Sequence, residues 1–157
     1  MPGFGAFGTV GRHCFDTKAS AYTRIAALTA VRAQYPVLRY GRQYERQISN
    51  FNAPFAYPAG GELITWSRIL DDEEALCVVN GHGIAPRGGR VIVDGSLNSA
   101  SGAFFQVVAN SAQAAEINYA GTHPVGEHVP VQFQGPTAFV QINNVQPSEV
   151  LVLINRP

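Results

Sequence analysis

The chain has 157 residues, 46% of them hydrophobic and 14% charged, and its eleven basic side chains balance its eleven acidic ones; this suffices for one domain with its own core and excludes a disordered tail. A formal net charge of zero leaves no surface field to draw the chain toward phosphate backbones or anionic lipid, which excludes nucleic acid and membrane as first partners. No run of about 18 apolar residues is present, the amino terminus Met1-Pro2-Gly3-Phe4-Gly5 carries neither a basic patch nor an apolar leader, and Cys14 and Cys77 form no disulfide framework or metal motif, so the expectation is a soluble, cytoplasmic chain with reduced thiols.

Residues 1–15 are Gly-rich without a consistent period and read as a loop. Residues 16–35 are alanine-rich, lack Gly and Pro, and place Tyr22, Ile25, Leu28, Arg32 and Tyr35 at spacings of three and four, the pattern of one amphipathic helix. Asp16 is the natural N-cap, and Pro36 disfavours helical geometry at Tyr35 and ends the helix. After Pro36 the period changes to two. Residues 38–48 alternate with Leu38, Tyr40, Tyr44 and Ile48 on one face, and further strands are predicted over 62–70, 75–80, 90–94, 103–109, 128–133, 137–143 and 149–154. Asp71-Asp72, Asn80-Gly81, Gly88-Gly89, Asp94-Gly95, Gly135-Pro136 and Gln146-Pro147 supply the turns. No helix intervenes for a parallel crossover, so residues 37–157 are expected to form an all-β domain. Its expected form is an antiparallel Greek-key β-sandwich of about seven or eight strands preceded by one N-terminal α-helix. An SH3-like or oligonucleotide-binding barrel, which needs fewer strands, ranks second.

Catalytic chemistry finds little support in the residues. Carboxylate pairs for glycoside hydrolysis stand about 5–10 Å apart, whereas the acidic cluster Asp71-Asp72-Glu73-Glu74 reads as a solvated turn and Asp16 as a cap. Cys14 and His13 are adjacent on an extended segment and point apart, which disfavours a nucleophile–base pair. His13, His82, His123 and His128 never reach a spacing such as HxxxH; His123 and His128, five apart in a Pro/Gly loop, come nearest to a metal pair. Gly81-His82-Gly83 and Gly88-Gly89 share only glycine content with phosphate-binding loops and read as hairpin turns. No catalytic residue, metal or cofactor is expected. Aromatic side chains remain, because the apolar face of a sugar stacks on exposed rings while its hydroxyls need polar neighbours. The carbohydrate-binding candidates are Trp66, Phe55, Tyr57 and Tyr44, with Tyr40 beside them. Trp66 in a strand reads first as core, and the two prolines of Phe51 to Pro58 make that segment a loop carrying three aromatics.

The stretch Gly11-Arg12-His13-Cys14-Phe15-Asp16, the helix segment Tyr22 to Leu28, and Arg32 with Pro36-Val37-Leu38-Arg39-Tyr40-Gly41-Arg42-Gln43-Tyr44 resemble the C-terminal end of α-amylase-family glycoside hydrolases. Ile64-Thr65-Trp66-Ser67-Arg68 and Ala75-Leu76-Cys77-Val78-Val79-Asn80 extend the resemblance, which covers residues 11–157. It implies the last helix of a (β/α)8 barrel followed by an antiparallel C-terminal β-domain. The family's Asp nucleophile, Glu acid/base and third Asp lie upstream of that helix, so none is carried onto this sequence. The chain is thus expected to be a terminal piece, a non-catalytic domain with a stabilising or interaction role in glucan metabolism. A stand-alone carbohydrate-binding module and a subunit of a split glycoside hydrolase are the alternatives. The partners implied are a glucan or oligosaccharide, a catalytic barrel subunit, and a second copy paired through the helix. A helix folded back onto its own sheet would make that last pairing unnecessary.

Overall fold

The structure, a computed structural model, describes residues 16–51, 53–115 and 121–156. The predicted loop over 1–15, with His13 and Cys14, lies outside the described residues. Helix α1 spans Ser20–Gln34 and α2 spans Val37–Tyr40; the strands are β1 (Arg42–Glu45), β2 (Ile48–Ser49), β3 (Leu63–Leu70), β4 (Glu73–Asn80), β5 (Arg87–Ile92), β6 (Phe104–Asn110), β7 (His128–Gln134), β8 (Thr137–Val145) and β9 (Val150–Arg156), with a 3-10 turn at Gln113–Ala115. The nine strands, one or two more than predicted, pair antiparallel in the order β1-β3-β4-β9-β6-β7-β8-β5-β2.

The sheet curls until the segment between β1 and β2 touches both of its ends. Arg46 N donates to Thr65 O of β3, and Ile92 N of β5 donates to Gln47 O. Alternation then directs one face of nearly every strand into a single interior: Leu63, Leu76, Val78, Val91, Phe105, Val129, Val140, Ile142, Leu151 and Leu153 are all buried there. A second, smaller cluster lies on the outer face of β3, β4, β9 and β6. There Ala75, Cys77, Val152 and Ile154 meet Val37 and Leu38 of α2, with Leu28 and Val31 of α1 and Tyr35 just after it packed against them. Only the C-terminal part of the stripe is therefore laid on the chain's own sheet; Ile25 stays exposed, and no α1 residue is buried.

Three local expectations are corrected. Asp16 does not cap α1: its Oδ1 accepts from Lys18 N at 2.9 Å and its carbonyl from Ala19 N at 3.1 Å, closing a turn before the helix, whose N-cap position is Ala19. Residues 38–48 are not one strand. Pro36, with φ −55°, is already in helical geometry and opens α2, so the prolyl ring that ends one helix starts the next. A Cβ at Gly41 would stand 2.5 Å from Val37 O, and only glycine lets the chain leave α2 there for β1. Leu38 joins the outer cluster and Ile48 the interior, so the apparent common face spans two sides of the sheet. Gly88-Gly89 is not a turn but lies within β5, at a register shift opposite β8. A Cβ on Gly89 would lie 2.8 Å from Ser49 O, and one on Gly88 would lie 3.0 Å from Ile142 O; the glycines admit neighbouring strands rather than reverse the chain. The Asp71-Asp72 and Gly135-Pro136 turns do join hairpins, with Leu70 paired to Glu73 and Gln134 to Thr137.

Candidate functional site

The outward side chains of β1 and β3 and the loop over residues 57–62 enclose an open groove of about 470 Å³. Trp66 and Tyr57 both line it, with Gln43 and Glu45 on its β1 side and Ile64 toward Gly81. Alternation explains the β1 side, because Gln43 and Glu45 share a face and Glu45 is the register partner of Trp66. The opposite wall is held by side chains. Glu62 Oε2 accepts from Ala59 N at 2.5 Å, its Oε1 accepts from Asn50 Nδ2, and Arg87 Nε donates to the carbonyl of Gly61 at 2.5 Å. Gly61 takes φ +85°, which a residue with a side chain rarely adopts. Tyr57 is 62% exposed, whereas Trp66 is half-buried and rests on the outer cluster. The groove thus offers two aromatic surfaces, the amide of Gln43, the carboxylate of Glu45 and, already engaged by Asn50 and Ala59, that of Glu62.

Sequence reasoning placed Phe55 and Tyr44 in the same group, and the structure separates them from it. Phe55 leans on Phe139 of β8, centroids 5.9 Å apart at 50°, because Ala56 pairs with Ile48 and pulls this part of the loop toward β2. Tyr44 projects from the other side of β1, with the Arg46 guanidinium 5.8 Å from its ring centre. Tyr40, 69% exposed, sits under Arg39 at 5.1 Å and does not line the groove. Gln43, Glu45 and Glu62 were missed in the sequence; only the period-two pattern that places Gln43 and Glu45 on one face could have revealed them.

Glu74 corrects the reading of the acidic cluster. Asp71 and Asp72 are exposed, but the turn ends with them, and Glu74 is the second residue of β4, facing inward and fully buried. Arg46 Nη2 donates to its Oε1 at 2.7 Å and Ser67 Oγ at 2.5 Å, while Asp94 N and Asn98 Nδ2 donate to Oε2 at 3.0 and 2.8 Å. A buried carboxylate so completely bonded holds structure: it ties the β1–β2 crossing to β3, β4 and the loop after β5. Nearby, burial pushes the Asp94 carboxyl up, but hydrogen bonds from Ser96 Oγ, Leu97 N and Ser96 N, with the charge of Arg46, outweigh it and leave the group below its ordinary range. At the far end of β4, Glu149 is equally buried and accepts from Asn110 Nδ2 at 2.6 Å and from Gln146 N at 2.5 Å. The two buried carboxylates stand about 20 Å apart at roughly 3.3 Å per strand residue, well beyond the ~5–10 Å separation of a glycosidase pair.

The described histidines, His82, His123 and His128, are occupied locally. His123 Nε2 accepts from Asn143 N at 2.9 Å, which assigns the ring proton to Nδ1, 3.0 Å from Glu127 Oε2. His128 stacks on Phe104, with ring centres 4.1 Å apart. His82 Nδ1 accepts from Ala85 N at 3.0 Å, closing the loop that its glycines open. Among the described residues no group of three His, Cys, Asp or Glu side chains is placed to hold a metal ion, and no helix is long and apolar enough to cross a membrane. Burial pushes the Cys77 thiol up to about 12 against the opposing pull of Arg68, so this cysteine stays protonated and unreactive.

No protein-family model matches the chain, and no curated protein matches it.

Proposed function

We propose that this chain is the non-catalytic β-domain of an α-amylase-like glycoside hydrolase, carrying the helix that ends the enzyme's barrel and serving as a docking and stabilising unit. The carrying observation is α1. Its Leu28 and Val31 pack against the outer cluster, yet no residue of the helix is buried and Ile25 stays 65% exposed, the profile of an element with packing capacity on a second side. The separation and full bonding of Glu74 and Glu149 support a non-catalytic role. In this reading the curled sheet is a Greek-key sandwich folded at β7, which pairs with β6 on one side and β8 on the other. Mixing the chain with a separately expressed catalytic barrel tests the proposal: co-purification and a raised unfolding temperature are expected, together with no sugar release from glucan by the chain alone. Hydrolysis by the chain alone, or failure to associate, overturns it.

The groove favours a second reading, a glucan-binding surface. Trp66 and Tyr57 supply stacking faces, and Glu45 and Gln43 answer hydroxyls. Maltooligosaccharides are then expected to shift the fluorescence of Trp66, the single tryptophan of the chain. Replacing the exposed Tyr57 with Ala should weaken binding roughly three- to tenfold with the fold unchanged, and the absence of any saturable shift counts against the reading.

A further inference from the structure

On the other side of Trp66, between α1 and the outer face of β3, β4 and β9, lies a second cavity, a cleft of about 290 Å³. Leu28, Leu38, Trp66 and Val152 form apolar walls, and among the described residues the charged groups lining it are Arg32 and Arg68. Neither has a carboxylate partner among the described residues, where the arginine–carboxylate pair is Arg46 with Glu74. Arg68 spends one Nη on the Gly41 carbonyl at 2.7 Å, and its Nε is buried with no acceptor. Arg32, exposed in the last turn of α1, stands at the mouth. What the cleft offers a ligand is the remaining Nη of Arg68 and the guanidinium of Arg32, both without a carboxylate partner among the described residues, and the planar fork of arginine suits a carboxylate.

We infer that this cleft binds a small amphipathic monocarboxylate, its charged end at Arg68 and Arg32 and its hydrocarbon tail against Leu28, Leu38, Trp66 and Val152. The volume lies at the lower edge of the roughly 300–1,000 Å³ usual for small-molecule sites, which selects a short tail. An uncharged glucan suits the polar-rimmed groove and leaves the two guanidiniums unanswered, so the cleft is independent of the reading above.

The test titrates the chain with octanoate, octanol and octyltrimethylammonium below their micelle thresholds, following Trp66 fluorescence. Saturable binding of octanoate is expected, at least about tenfold tighter than octanol, with none for the cation. From hexanoate to octanoate, affinity should rise about fourfold per methylene. Arg68→Gln should cost octanoate at least about tenfold. Arg32→Gln, at an exposed position, keeps the fold and should weaken octanoate roughly threefold or more while leaving octanol unchanged; it decides the matter if the Arg68 variant fails to fold. Equal binding of octanoate and octanol, no saturable change with octanoate, or an Arg32→Gln protein that binds octanoate like the parent overturns the inference.

Discussion

The inner and outer faces of the same sheet are built differently. Inside, every residue of the main cluster is at most 4% exposed, aliphatic apart from Phe105, and drawn from strands spread along the whole ladder. Outside, the cover is two helices, one only four residues long and the other without a single buried side chain, and both cavities open beside Trp66 there. A close-packed interior specifies the fold, and a loosely covered exterior leaves surface for ligands and partners.

Substitutions on each face break the comparison in different ways. Phe105→Ala, at the centre of the interior, should cost about 3–5 kcal/mol in urea unfolding; a loss below ~1 kcal/mol would mean the two faces do not differ. Glu74→Ala should cost about 3 kcal/mol, because it strands the half-buried Arg46 and removes the acceptor for Ser67, Asn98 and Asp94 N. On the outer face, Leu28→Ala should cost only about 1 kcal/mol, since Leu28 is merely half-buried. Ile25→Ser should stay within about 0.5 kcal/mol in the isolated chain, yet impair association with a barrel partner. The smallest effect belongs to Asp94. Its carboxyl lies below the ordinary value of 3.8, so its stabilising contribution is present above that value and is lost as pH falls through the folded-state value. Between about pH 5 and pH 3 the parent should lose slightly more thermal stability than Asp94→Asn, in paired melting curves.

Legibility in the sequence followed how locally each feature is determined. The body of α1 was readable because its period and Pro36 act within a few residues, and the β3–β4 and β7–β8 hairpins because Asp71-Asp72 and Gly135-Pro136 dictate turns on their own. Residues 38–48 misled because alternation cannot distinguish one strand from a helical turn and two short strands on opposite sides of a sheet. Gly88-Gly89 misled because the demand for glycine arises from Ser49 and Ile142, remote in sequence. Glu74 could have been read from its alternation with Leu76 and Val78, but its partner Arg46 comes from another strand's end. Of the candidate site, the pair Trp66 and Tyr57 was legible as chemistry, while its separation from Phe55 and Tyr44 depended on the Ala56–Ile48 bridge.

The crossing at Arg46 and Gln47 has a consequence for how the molecule forms. Strands β1 and β2 are neighbours in sequence yet terminate opposite ends of the ladder, so the Arg46–Thr65 and Gln47–Ile92 contacts are held at the same time only when the seven strands between are in register. Closure is therefore a late event in refolding, dependent on contacts between distant segments and correspondingly slow. Until it happens both ends of the ladder are open to strands from other molecules; once it happens, the strands that end the ladder are only four and two residues long and joined to each other, a poor template for further pairing.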